Sequence, residues 1–182
     1  AWDYAAEPEA FRQWLEQAER AGQRFINPPE LMAWNMEKTY LCDLAERGAQ
    51  VIPSVFVPPQ KAELTDILNQ QGWTEAVIKP AFGQSGKGVV KVYAETLDVN
   101  MADYPQGVIV QPYIREIETA GETSLVFFNG VFSHAVRRQP PQGEWRANSA
   151  YGVSVFGIEP PEFAVRAAQD VLAALPQMPV YA

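Results

Sequence analysis

The residues best suited to chemistry cluster in one short stretch, Gly83-Gln84-Ser85-Gly86-Lys87-Gly88, with Lys79 just before it. Glycine lets a backbone approach a ligand closely, its N–H groups can cradle phosphate oxygens, and lysine adds a compact positive charge. The pattern suits a loop that closes over a phosphate. Two common phosphate loops do not fit. A Walker loop needs a glycine five residues before its Gly-Lys-Ser/Thr, but Ala81 stands there and Gly88 follows Lys87. A dinucleotide fingerprint opens a helix, whereas Val89-Val90-Lys91-Val92-Tyr93 reads as a strand. A flexible hairpin tip with solvated lysines has the same composition, so the loop must be judged in its context.

Hydrophobic periodicity gives the elements that must position it. Residues 8–21 put Phe11, Trp14, Leu15 and Ala18 on one helical face and stop near Gly22. Residues 31–47 repeat the pattern through Met36, Tyr40, Leu41 and Leu44, with Gly48 as a cap. On that helix Asn35 and Lys38, three apart, share a face and can meet one ligand. Residues 50–57, with prolines at 53, 58 and 59, suit an edge strand or an extended connection. Residues 61–71 read as a helix with Leu64, Ile67 and Leu68 inward. Residues 76–79 and 89–93 form the arms of the loop's hairpin, and residues 107–114 another strand; the polar connection 97–105 has no assignment. Asn129-Gly130 between two apolar runs signals a second hairpin. Residues 161–175 then read as a helix, and Val180-Tyr181 as the start of a strand. The fold class is α+β.

Composition narrows the function. The 182 residues are 47% hydrophobic, enough to build one large domain or two small lobes. A net charge of −8 and a pI near 4.7 oppose a nucleic-acid or anionic-membrane surface. No apolar run reaches the roughly 20 residues of a membrane span, and no signal-peptide pattern opens the chain. Cys42 is the single cysteine, so no internal disulfide is possible and a reducing, cytoplasmic setting fits. The abrupt start at Ala1-Trp2-Asp3-Tyr4 reads as an excerpt of a longer protein.

Taken in order, several stretches resemble the ATP-grasp ligases, in the branch that holds bacterial glutathione synthetases, ribosomal-protein glutamate ligases and the D-cycloserine-forming ligase. Trp34-Asn35-Met36-Glu37-Lys38-Thr39-Tyr40-Leu41 resembles the family's first lysine helix, and Val77-Ile78-Lys79-Pro80 its second lysine strand. Residues 83–88 resemble its closing glycine loop, giving Gly83, Gln84, Ser85 and Gly86 a phosphate role. Gln111, Pro112, Tyr113 and Ile114 resemble the interlobe segment whose backbone meets adenine; Pro112 removes one donor there. Glu122 falls where an acidic residue holds the ribose, with Glu116 and Glu118 as nearby competitors. Arg138, Arg146 and Asn148 resemble the phosphate-transfer site.

The resemblance implies two α+β lobes with mainly antiparallel sheets clasping ATP. Residues 27–111 would form the first lobe and 112–182 a second lobe truncated at its C-terminus. Residues 1–26 would be a helix and the tail of a missing N-terminal domain. The implied activity is ATP-dependent joining of a carboxylate to an amine, or a thiol, through an acyl phosphate, with an amino acid or small peptide as substrate. Mg2+ would be bound by residues beyond 182, so the chain itself could be inactive. Two alternatives share the fold, an inactive ATP-binding module and a phosphotransferase. A homo-oligomer is compatible with the pattern. Lys38 and Lys79 would neutralise the α and β phosphates. The rigid fork of Arg146 would meet the γ-phosphate or the acyl phosphate, and Arg138 would orient the carboxylate or share that role. Arg137 and Arg138 face opposite ways on a strand, so one enters the site, and Arg138 is the expected one. His134 reads as structural or surface, Cys42 as a buried thiol, and the tryptophans at 2, 14, 34, 73 and 145 mainly as core, with Trp34 and Trp145 flanking ligand residues.

Overall fold

Proline starts the first two helices, where its fixed φ is already helical and its missing N–H costs nothing. Helix α1 spans Pro8–Arg20 and buries Leu15 and Ala18; α2 spans Pro29–Asn35 and buries Leu31. A computed structural model describes residues 4–60 and 64–182. Trp2 and the first turn expected at 61–63 lie outside the described residues.

The helix expected over residues 31–47 is two helices. After α2 the backbone breaks, and α3 spans Tyr40–Glu46. In the break Glu37 bridges Phe82, and the Lys38 N–H donates to the Ala81 carbonyl at 2.8 Å. A strand-like tertiary contact thus takes a donor that a continuous helix would have used internally, overriding local propensity. Lys38 leaves the helix for the end of a strand, and its shared face with Asn35 is lost.

Strand β1 (Val55–Val57) is an edge, as the prolines implied, and α4 (Leu64–Gln71) follows. Strands β2 (Glu75–Pro80), β3 (Val90–Tyr93) and β4 (Val108–Pro112) complete a four-stranded antiparallel sheet, in the order β1-β4-β2-β3. The connection 97–105 holds a 3-10 turn, Met101–Asp103. Registers Ala76↔Val92, Ile78↔Val90 and Ile78↔Val110 align one face, and there Ala76, Ile78, Val92, Val108 and Val110 pack against Leu64 and Leu68 of α4. Each fully buried Ile, Val or Leu in this cluster contributes roughly 1.5–3 kcal/mol. The pleat sends alternate residues the other way. Val77 pairs with both Lys91 and Gln111, and Lys79 with Ile109, so these face away from the core.

A short helix α5 (Glu116–Ala120), missed in the sequence, leads into a second sheet. Strand β5 (Glu122–Phe128) pairs with β6 (Val131–Gln139) across Asn129-Gly130, whose φ values of 51° and 76° suit the hairpin turn expected there. Strand β7 (Ser154–Ile158), also missed, is the far edge, and its exposure explains why no buried alternation announced it. Helix α6 spans Glu162–Ala174. Beyond it Tyr181 bridges Phe128, and the Ala182 N–H donates to Phe127 at 3.1 Å, the strand start expected at 180–181. The second sheet also reaches residues N-terminal to the first: Asn27 Nδ2 donates to the Tyr181 carbonyl at 2.7 Å, and Tyr181 N–H donates back to Asn27 Oδ1 at 2.9 Å. Among the described residues, no helix is long and apolar enough to cross a membrane.

Candidate functional site

Where the two sheets meet, two cavities lie side by side. The first, of about 230 Å3, is lined by Lys38, Lys79, Gly83, Gln84, Ser85, Gly86, Glu122, Arg146 and Asn148, residues expected to share one site. Pro80, Lys87, Val89, Ile117, Trp145 and Ala147 complete its wall. The second, of about 270 Å3, is lined by Gln111, Pro112, Tyr113 and Ile114 with Ile52, Val77 and Glu116. Lys79, Ile117, Glu122 and Trp145 line both. One cavity is cationic and loop-covered, and the other is flanked by apolar and aromatic side chains. An elongated ligand with an anionic end and a flat apolar end fits that pair.

The two lysines come from different elements. Lys79 projects from the face of β2 turned away from α4, and Lys38 from the break after α2, with its ammonium donating to the Gly83 carbonyl. Burial first, and the neighbouring charge of Lys79 second, together lower the Lys38 pKa from 10.5 to about 8. Burial also lowers Lys79, while Glu122 pulls the other way. Two half-buried ammonium groups with one carboxylate near them make a site short of negative charge, which an anion would supply.

The glycine loop is held at three carbonyls. Lys38 takes Gly83; the Tyr151 hydroxyl donates to Gly86 at 3.3 Å and the Tyr104 hydroxyl to Gly88 at 3.0 Å. Ser85 and Gly86 adopt positive φ, 56° and 74°. A Cβ on Gly86 would lie 2.7 Å from Asn148 Oδ1, so only glycine lets the loop settle this closely against the β6–β7 connection.

Arg146 is not a free cation. Its Nε and Nη2 donate to Glu144 Oε1 and Oε2 at 2.9 and 2.7 Å, a two-pronged pair, and its guanidinium lies 3.8 Å from the centre of the Tyr151 ring. The Arg146 bonds hold the Glu144 carboxyl down to about 2, and Glu144 in turn raises Arg146. Glu144 Oε1 also accepts the backbone N–H groups of Trp145 and Arg146 at 2.8 and 3.0 Å, which fixes the whole turn. Sequence reasoning missed this partner, although a carboxylate two residues from an arginine in extended chain shares its side.

Arg138 lines neither cavity. It pairs across strands with Glu122, donating to Glu122 Oε1 at 2.5 Å and to Ser124 Oγ at 2.6 Å, so it meets the site through Glu122. Arg137 faces the other way, toward Thr123 at 3.5 Å. Asn35 lines a separate apolar cavity beside α6, and Trp34 is with it, its indole donating to Asp43 at 2.7 Å. Glu118 is engaged elsewhere: it accepts from the Tyr113 hydroxyl, whose pKa is raised by burial first and by this bond second, and it lies 3.9 Å from Lys91. Lys91, also missed, sits 3.6 Å from the centre of the Tyr113 ring, and Trp145 meets that ring edge-on at 5.8 Å. In the segment 111–114, Tyr113 N–H donates to the Glu75 carbonyl, so that donor is taken, while the Ile114 carbonyl accepts from Ile117 and keeps its second lone pair. Gln111 is buried, its side chain donating to Ser54 Oγ at 2.8 Å. Among the described residues, no group of three or more His, Cys, Asp or Glu could hold a metal ion.

Residues 37–177 match the family described as prokaryotic glutathione synthetase, ATP-grasp domain. The cycloserine biosynthesis protein DcsG of Streptomyces lavendulae is 34% identical over 147 residues, covering 75% of this chain and 49% of that protein. The glutathione synthetase of Parasynechococcus marenigrum is 32% identical over 145 residues, 76% of this chain and 45% of that one. The chain thus spans about half the length of these curated relatives. The crystal structure of D-cycloserine synthetase DcsG superposes with a TM-score of 0.83 at 28% identity, covering 99% of this chain and 66% of that one. D-alanine–D-alanine ligase from Bacillus anthracis shares the fold, with a TM-score of 0.68 at 20% identity over 92% of this chain and 57% of that one.

Proposed function

The chain belongs to the prokaryotic glutathione synthetase ATP-grasp domain family, and from that premise we propose that it is the nucleotide-binding part of an ATP-dependent carboxylate–amine ligase. The observation that carries this reading is the convergence of Lys38, Lys79, the glycine loop, Arg146 and Asn148 on one cavity that adjoins the apolar one beside Tyr113. The triphosphate lies in the first cavity and the base in the second, with the ribose between them near Glu122. A carboxylate oxygen of the substrate displaces ADP from the γ-phosphorus; an amine nitrogen then displaces phosphate from the acyl carbon and loses a proton. Such transfers depend mainly on positioning and on neutralising the phosphoryl oxygens, work suited to two lysines and an arginine on a rigid frame. The glycine loop keeps water from the acyl phosphate. A small amino acid or peptide is the substrate class, as the names of the relatives suggest. Magnesium, the family's usual companion to ATP, finds no ligand set among the described residues, so no step is routed through it.

Calorimetric titration of the 182-residue chain with a non-hydrolysable ATP analogue tests the reading, beside a Lys79→Ala, Arg146→Ala variant. Binding by the wild type that weakens at least roughly a hundredfold in the variant is expected, since two charged contacts are lost. A folded wild-type chain that binds no analogue would sink it.

A further inference from the structure

Tyr151 was not marked by any sequence signal, and it lines neither cavity. It ends the 3-10 turn Ser149–Tyr151, capped by Gly152 at a φ of 74°. Its two ends do different things. The ring lies under the Arg146 guanidinium, 3.8 Å from carbon to ring centre, a stacking that suits the flat cation better than it would a lysine. The hydroxyl reaches across to the first lobe and donates to the Gly86 carbonyl at 3.3 Å. The contact is close, because a Cβ on Gly86 would lie 2.9 Å from Tyr151 Cε2. One side chain therefore touches both the arginine aimed at the phosphates and the loop that covers them.

We propose that Tyr151 is a positioning residue that couples the glycine loop to Arg146, its ring placing the guanidinium and its hydroxyl holding the loop down on the second lobe. The proposal rests on the nucleotide reading of the site. When the loop is seated, Arg146 is confined between Glu144 and the Tyr151 ring; when the loop lifts, the Gly86 bond is lost and the ring is freed to turn. Arrival of the loop and placement of the cation then occur together, which ties water exclusion to charge neutralisation without a group that touches the reacting atoms.

Trypsin cleavage after Lys87, the exposed lysine of this loop, reports how often the loop lifts, and mass spectrometry of the 182-residue chain resolves that cut from others. Tyr151→Phe keeps the ring and removes the hydroxyl. It is expected to raise cleavage at Lys87 roughly fivefold while changing affinity for the ATP analogue less than about twofold. Tyr151→Leu removes both and is expected to raise cleavage similarly and to lower affinity roughly tenfold. In an Arg146→Ala background the affinity loss from Tyr151→Leu should vanish while the cleavage effect remains. A merely structural tyrosine would move the unfolding midpoint and not split these readouts. A wild-type chain that binds the analogue, with Tyr151→Phe cut at the wild-type rate, overturns the proposal and leaves the nucleotide reading standing. Equal affinity losses from Tyr151→Leu with and without Arg146 overturn it too. A wild-type chain that binds no analogue overturns the nucleotide reading, and the coupling proposal with it.

Discussion

Lys38 shows how much a single residue can depend on its surroundings. Released from a helix by the Ala81 contact, it sits beside Lys79, and burial and that neighbour bring its pKa from 10.5 to about 8. On the proposed reading phosphate oxygens would stabilise the charged form, so binding would raise the pKa again and take up a proton near pH 8. Affinity for the ATP analogue should therefore fall roughly tenfold or more between pH 7 and 9.5, the ligand-free lysine losing its proton first. The ligand-free chain should move the other way. The unfolded lysine still holds its proton between pH 8 and 10.5 while the folded one does not, so stability rises with pH across that window. Titration calorimetry in buffers of different ionisation enthalpy measures the proton uptake, and denaturant unfolding of the ligand-free chain across that pH range measures the stability, each with Lys38→Met as the control. A flat pH profile would show that Lys38 does not meet the phosphates.

At the scale of elements, the site depends on one tight junction. Gly121 joins α5 to β5 at φ 69°, ψ −170°, a region essentially reserved for glycine, and a Cβ there would lie 2.6 Å from the Arg138 carbonyl. Gly48, after α3, also has positive φ, 83°, but nothing lies within 4 Å of its Cβ position. Gly48→Ala should cost only about 1 kcal/mol, the usual left-handed penalty. Gly121→Ala should cost more, on the order of 3 kcal/mol, because backbone must also move. It should also weaken nucleotide binding by displacing Glu122. Chemical denaturation of the two variants compares them; equal losses would mean that the junction relaxes freely.

For the whole molecule, both cavities draw their walls from the two sheets and the segments joined to them. Hydrogen exchange with the ATP analogue should slow residues 79–88 and 144–151 together, since both segments line the cavity proposed for the triphosphate. Adenosine should protect only the segment around 111–114. Protection of a single lobe by the analogue would argue against a clasp. Ligand binding to the folded state alone should also raise the unfolding midpoint as RT ln(1 + [L]/Kd).

Much of this was legible in the residue order. The glycine loop between two β-branched runs, the Asn-Gly hairpin and the apolar faces of α1, α4 and α6 are local patterns, and period and turn chemistry determine them. The order of motifs pointed to the family and to most of the cavity lining. Other features were settled only by tertiary contacts. The break that carries Lys38 into the site follows from hydrogen bonds to residues 81–82. The Glu144 grip on Arg146, the withdrawal of Arg138 behind Glu122 and the reach of Tyr151 to Gly86 are contacts that a linear pattern does not encode. The physical reason is the same in each case. Local sequence decides which backbone bonds can close nearby, whereas the partners of a polar side chain are chosen by whichever groups the folded lobes bring within about 3 Å.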